Sequence, residues 1–332
     1  MAQNVTSLVF KGFHSKACAC NLCLDRRKQS RRVQGDEMVD TRISNTFSVL
    51  VDWAREVGKL NGVDKLYIFG SLINDNARDF QMATSDLDLV LLMNESANDI
   101  GNRLKLVEAC EEKVDELEGR LIKVLGRDSQ HPHTSIVCLT PKEAYHGIHK
   151  SGDVNLLSEK QFVVIEKGIG LHSEHVQITM DLDEPGFYTE FADDLVAIQY
   201  AQEVRNNFLS NSYNEVHRGL LEHLGDDPLP KKMLRTAAIL GWKELGEDRR
   251  RRTDLTVGVR YIQRALESVG PLGQELYRKI DGHLLGRGEK QSISRNETLM
   301  VAEILFDIAI GRIKSRREQL DGTIETIIGR QS

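Results

Sequence analysis

"YIFGSLINDNARDFQMATSDLDLVLLM", residues 67–93, decides how the chain is read. An apolar run breaks at Gly70-Ser71, a polar loop follows, and a second apolar run opens with Asp86 and Asp88 set one residue apart. The first run predicts a strand ending in a loop, and residues 86–93 predict a second strand. Alternate strand residues share a face, so both aspartates project together while Leu87 and Leu89 point to the core. Two adjacent carboxylates repel and raise each other's pKa. A divalent cation removes that penalty, and hard oxygen ligands of this kind suit Mg²⁺, with Mn²⁺ an alternative. Gly70 lets the backbone approach a phosphate, and the Ser71 hydroxyl can bind its oxygens. Phosphate beside a carboxylate-held metal pair implies phosphoryl or nucleotidyl transfer, with two ions expected, one at the attacking oxygen and one at the leaving group.

Outward from this stretch, "TRISNTFSVLVDWAREVGKL" (41–60) places Ile43, Phe47, Leu50, Val51 and Ala54 at helical spacing. A long polar helix is predicted over 97–124, and "HTSIVCLTP" (133–141) reads as a third strand stopped by Pro141. Helix, strand, loop, strand, helix, strand indicates an α+β or α/β core reaching to about residue 180. Beyond "DLDEPG" (181–186) the apolar runs take a helical period to Ile328. The expected organisation is a polar leader over 1–38, a core over 39–180, and an all-helical domain over 186–330.

The constellation of Gly70, Ser71, Ser85, Asp86 and Asp88 resembles the DNA polymerase β-like nucleotidyltransferase superfamily, whose signature is Gly-Ser, a loop, and Asp-x-Asp on the next strand. The similarity covers about residues 41–174, where "IEKGIGLHSE" (165–174) looks like the segment that closes such cores ahead of a helical bundle. The resemblance implies an α+β fold with a mixed sheet. It implies that Asp86 and Asp88 are catalytic metal ligands and that Gly70, Ser71 and Ser85 contact nucleotide. Basic residues of the helical domain reach the triphosphate in such enzymes; here "PKKMLRTAA" offers Lys231, Lys232 and Arg235, of which Lys232 is the expected contact. The family also uses a third carboxylate on a neighbouring strand. "HTSIVCLT" (133–140) has no acid, and Asp153 and Asp181 downstream are the candidates.

The activity so implied is transfer of NMP or dNMP from a nucleoside triphosphate to an acceptor with release of pyrophosphate. Bacterial enzymes of this kind modify aminoglycosides, adenylylate a partner toxin, or make nucleotide messengers and oligonucleotides in antiphage or stress signalling, and the last type is favoured here. The alternatives are a protein-adenylylating antitoxin-type enzyme and a degenerate nucleotide-binding module. The acceptor is a nucleotide, an oligonucleotide or a partner protein, and a homo-oligomer is compatible with the sequence.

Composition sets the outer limits. A net charge of −6 excludes a wholesale polycation, although arginines cluster at 26–32, 249–252 and 316–317. No apolar run approaches the length of a membrane span and no signal-peptide core is present, so a cytoplasmic protein is expected. Five cysteines, three of them in "HSKACACNLC", do not form a disulfide framework. His14, Cys18, Cys20 and Cys23 offer a four-ligand set for zinc, against the commoner outcome of free thiols in a leader. Arg218 and His223 match the Arg-x4-His spacing of HEPN ribonucleases, a pattern that so many arginines and histidines produce by chance.

Overall fold

The computed structural model describes residues 28–127, 132–151, 157, 160–169, 173–178, 191–210, 227–285 and 292–329. The chain divides at Thr41/Arg42 into two units, and the elements described below from Arg42 onward belong to the second. The zinc candidates His14, Cys18, Cys20 and Cys23, the acids Asp153 and Asp181, and the Arg218/His223 pair lie outside the described residues.

Helix α1 (Lys28–Val57) leads into strand β1 (Val63–Phe69), strand β2 (Leu87–Met93), helix α2 (Ile100–Leu125) and strand β3 (Thr134–Leu139). The short helix α3 (Pro141–Tyr145) follows, then strands β4 (Phe162–Val164) and β5 (His175–Val176). The sheet order is β3-β2-β1-β4-β5. β1 pairs antiparallel with β2 and with β4, and β2 pairs parallel with β3, so the sheet is mixed. The α+β class read from the sequence is the one observed.

Each element follows from its residues. In α1, Leu50, Trp53, Ala54 and Val57 are buried at the i, i+3, i+4, i+7 spacing of an apolar stripe. The Trp53 indole N–H donates to the Lys113 carbonyl at 2.8 Å, which ties α1 to α2. The helix begins at Lys28, inside the stretch read as leader, where straight-chain Arg, Lys, Gln, Glu and Met favour helix without any apolar period. Helix α2 is capped by the Asp99 carboxylate, which accepts from the Asn102 N–H at 2.9 Å, and it buries Leu106, Cys110, Val114, Leu117 and Leu121. Pro141 ends the strand as expected but also opens α3, where Thr140 and Glu143 form a capping box. β4 and β5, three and two residues long, are too short to show a period in the sequence.

Leu87, Leu89, Leu91 and Met93 of β2 join one large core with α1, α2 and the C-terminal helices, while Val90, with Tyr67, Val137, Leu139 and Phe162, packs on the opposite face. The helical half contains α4 (Ala192–Leu209), α5 (Lys231–Gly241), α6 (Leu255–Glu267), α7 (Pro271–Leu285) and α8 (Arg295–Gly329). Helix α4 is central: it packs on β3 and α2 and, on its other sides, on α5 and α8. Helices α5 and α6 cross closely enough that a Cβ on Gly258 would lie 1.9 Å from the Leu234 carbonyl oxygen, so only glycine fits there.

A lattice of charge lies inside this packing. Arg205 of α4 contacts both Glu143 carboxylate oxygens, at 2.9 and 2.8 Å, and donates to Glu303 of α8 at 2.5 Å. Arg103 of α2 reaches the same Glu303 at 2.5 Å and Asp307 at 2.8 Å. Arg103, Arg205, Glu143 and Glu303 are fully buried, and the two guanidiniums flank the Phe306 ring at 4.8 and 4.7 Å from its centroid. Burial alone would raise the Glu303 pKa, but Arg205 and Arg103 together hold it below the usual value. Removing one member leaves an uncompensated buried charge, so Glu303→Leu should cost about 3–5 kcal/mol. Urea denaturation of the variant checks this, and a midpoint unchanged from wild type would contradict it. Because the Glu303 pKa is depressed, its contribution is present at neutral pH and should be lost as pH falls through the folded-state value.

Candidate active site

The Gly-Ser turn and the Asp-x-Asp strand meet through the β1–β2 ladder, in which Phe69 pairs with Asp88. Gly70 follows directly with φ of +87°, and a Cβ there would stand 2.5 Å from Asp88 Oδ2. Glycine is therefore required twice, by its dihedral and by the carboxylate lying over it. The Gly70 carbonyl accepts from the N–H groups of Ile73 (3.2 Å) and Asn74 (3.1 Å), so Ser71 sits in a tight turn.

Asp88 is half-buried within β2, whereas Asp86 is exposed and immediately precedes the strand. The Asp88 pKa is raised to about 6, first by burial and then by Asp86; Lys150 and Lys160 pull it down. A divalent ion would relieve both causes, and the two carboxylates supply the hard oxygen donors it prefers. No group of three or more His, Cys, Asp or Glu suited to a metal occurs among the described residues, so among these the two aspartates are the donors on offer, and phosphate and water suit the remaining positions. Asp86 and Asp88 thus fit a divalent ion that arrives with a phosphorylated ligand.

Ser85 is committed to the loop. Its hydroxyl accepts from the Gln81 N–H at 2.9 Å, while its carbonyl accepts from Arg127 at 2.8 Å. Arg127 also donates to the Met82 and Gln81 carbonyls, so one guanidinium holds the segment that delivers Asp86. An open cleft of about 570 Å³ lies beside Asp86, lined among others by Arg42, Thr84, Arg127 and His133. His133 is buried with its Nε2 unpartnered among the described residues.

On the other side of Asp88, the parallel β2–β3 register sets Ser135 directly opposite. The Lys150 ammonium donates to Ser135 Oγ at 3.4 Å. Burial lowers the Lys150 pKa, and Glu203 and Asp88 raise it, in that order. Glu203 of α4 also accepts from Lys232, whose ammonium lies 5.8 Å from the centre of the Tyr200 ring. A trail of alternating charge therefore runs Asp88, Lys150, Glu203, Lys232. Lys231 and Arg235 are exposed, Lys231 lying 3.9 Å from Asp227. In the arginine run, Arg251 pairs with Glu247 and Asp254, and Arg252 with Asp193. Lys150, Glu203, Arg127 and His133 were not singled out from the sequence, because none has a spacing relation to the Asp-x-Asp strand.

A profile of the NTase-conflict family, described as Pol beta superfamily nucleotidyltransferase in conflict systems, matches residues 49–311. The chain belongs to that family. The match runs from α1 through α8 and so takes in both the sheet and the helices behind it. Searches of curated proteins and of solved structures return no match. No helix among the described residues is long and apolar enough to cross a membrane.

Two measurements probe the geometry. Gly70→Ala should strain the turn by about 1–3 kcal/mol and displace the Asp88 carboxylate, weakening Mn²⁺ binding while circular dichroism stays native. In metal-free protein the Asp88 carboxyl should titrate near 6 by NMR, and Lys150→Met should move that midpoint upward. Its raised value means that, for this group, the folded protein gains stability as pH falls from above 6 toward 4. A midpoint near 4, or one that Lys150→Met leaves in place, would contradict the arrangement.

Proposed function

We propose that the protein is a metal-dependent nucleotidyltransferase that transfers NMP or dNMP from a nucleoside triphosphate to an acceptor hydroxyl. The observation that carries this reading is the Asp88 carboxylate lying over the Gly70 backbone with Asp86 one residue away, since it brings the Gly-Ser turn and two hard-oxygen metal ligands to one point. Membership of a nucleotidyltransferase family supports the same chemistry.

In this reading Gly70 admits a phosphate oxygen close to the main chain, and the Ser71 hydroxyl binds another. Asp86 and Asp88 would hold Mg²⁺ or Mn²⁺, which would supply charge neutralisation for the triphosphate and acidify the acceptor. The acceptor oxygen bonds to the α-phosphorus as the bond to the bridging oxygen breaks, and pyrophosphate departs. Lys232 steadies the triphosphate from α5, and Ser85 holds the approach of Asp86. The acceptor enters through the cleft beside Asp86, where Arg127 and His133 form the wall. Its size suits a nucleotide or an oligonucleotide end, which supports nucleotide-messenger or oligonucleotide synthesis in an antiphage or stress response. The helical half, residues 186–330, acts as the substrate- or partner-binding domain.

A second reading, a nucleotide-binding module without turnover, is favoured by one feature: the strand position opposite Asp88 holds Ser135 and not an acid. Incubation with each labelled NTP and dNTP plus Mg²⁺ or Mn²⁺ separates the readings. Oligomers or cyclic products support the first, self-labelling or a labelled partner supports protein adenylylation, and binding without product supports the second. Asp86→Ala with Asp88→Ala should lower pyrophosphate release on the order of 10³-fold or more, since several kcal/mol of charge stabilisation is lost. Undiminished release in a folded double variant would remove the enzymatic reading.

A further inference from the structure

The ground beside Asp88 is already taken by a positive charge. Ser135 faces Asp88 across one parallel strand spacing, about 4.8 Å, and its hydroxyl accepts from the Lys150 ammonium at 3.4 Å. This lysine is built in. Gln202 of α4 donates to the Ile148 carbonyl at 2.8 Å, two residues before Lys150, and Asn206 of the same helix donates to the Ile136 carbonyl at 2.6 Å, next to Ser135. One helix therefore fixes both the strand that carries the hydroxyl and the loop that carries the ammonium. Electrostatic coupling of Lys150 runs to Asp88 on one side and Glu203 on the other.

We propose that Lys150 serves as the resident second cation of the nucleotide site, so that the chain binds its nucleotide with one divalent ion and not with two. The inference rests on the nucleotidyltransferase reading and revises the two-ion expectation drawn from the sequence. Asp86, Asp88 and Glu203 contribute three negative charges and Lys150 one positive, so the lysine already supplies part of the counter-charge that a second dication would bring beside Asp88. A second dication would stand beside the ammonium in a partly buried place, where like charges are poorly screened. Among the described residues, β3 also offers it no carboxylate. On β3, the Thr134 hydroxyl donates to Glu118 at 2.6 Å, and Ser135 already accepts from Lys150. The ammonium can instead contact a phosphate oxygen directly, as a compact point charge with three donors. Glu203 lies within electrostatic reach of Lys150 and accepts from Lys232, so it supplies counter-charge to both when no nucleotide is present.

The test is a stoichiometry. Equilibrium dialysis of the full chain against an α,β-imido nucleoside triphosphate and millimolar Mn²⁺, after subtraction of free Mn²⁺–nucleotide, reads bound Mn²⁺ per bound nucleotide. One ion per nucleotide is expected for wild type. In Ser135→Asp with Lys150→Ala, which exchanges the ammonium for a third carboxylate, the ratio should rise to two. Two ions per nucleotide in wild type would overturn the inference and leave the nucleotidyltransferase reading standing. A ratio still at one in the folded double variant would likewise overturn the role given to Lys150. Wild-type protein that binds no nucleotide of any base or sugar would sink both.

Discussion

Arg205 is a full positive charge at a point with no access to water, and much of the structure follows from how it is satisfied. Its partners lie on three separate elements: the Cys138 carbonyl on β3, Glu143 on α3 and Glu303 on α8. Desolvating so many charges offsets most of their attraction, so the lattice is better regarded as a device for registration than as a source of net stability. What it registers is the edge of the sheet nearest the candidate site. Gln202 and Asn206, three residues before and one after Arg205, lie along the same part of α4 and hold the carbonyls that flank Lys150 and Ser135. The geometry around Asp88 is thus set from the helical side as well as from its own strand.

The strand-loop-strand heart of the fold was legible because its signals are local. A positive-φ glycine ends β1, an alternation of carboxylate and leucine opens β2, and both can be seen within 27 residues. The apolar stripe of α1 and the run of α2 were equally plain, apart from helix ends: α1 begins earlier than its apolar period, and a short 3₁₀ turn at Glu95–Asn98 stands where α2 was expected to start. The two last strands were not legible, since strands of three and two residues exist only because β1 offers an edge to β4 and β4 offers one to β5.

The site was half legible. Asp86, Asp88 and Gly70 are found by spacing, and the structure brings them together. Lys150 and Glu203 are 62 and 115 residues from Asp88, and only parallel pairing of β2 with β3, followed by docking of α4, carries them to it. Helical periodicity hid the role of α4 as well. Its buried Gln202, Arg205 and Asn206 look like the wet side of an amphipathic helix, yet they are the side that meets the sheet. Polar residues at helical spacing are ambiguous in this way whenever their partners are backbone carbonyls of a distant strand.

The all-round burial of α4 has a consequence for how such a chain can change. A segment ending near residue 180 would expose the carbonyls of Cys138, Ile136 and Ile148 with no donors to meet them, and would leave Glu143 without its guanidinium. The sheet and the bundle therefore do not behave as interchangeable modules. Exchange of the C-terminal half by recombination would therefore need a donor helix that carries the same glutamine, arginine and asparagine stripe.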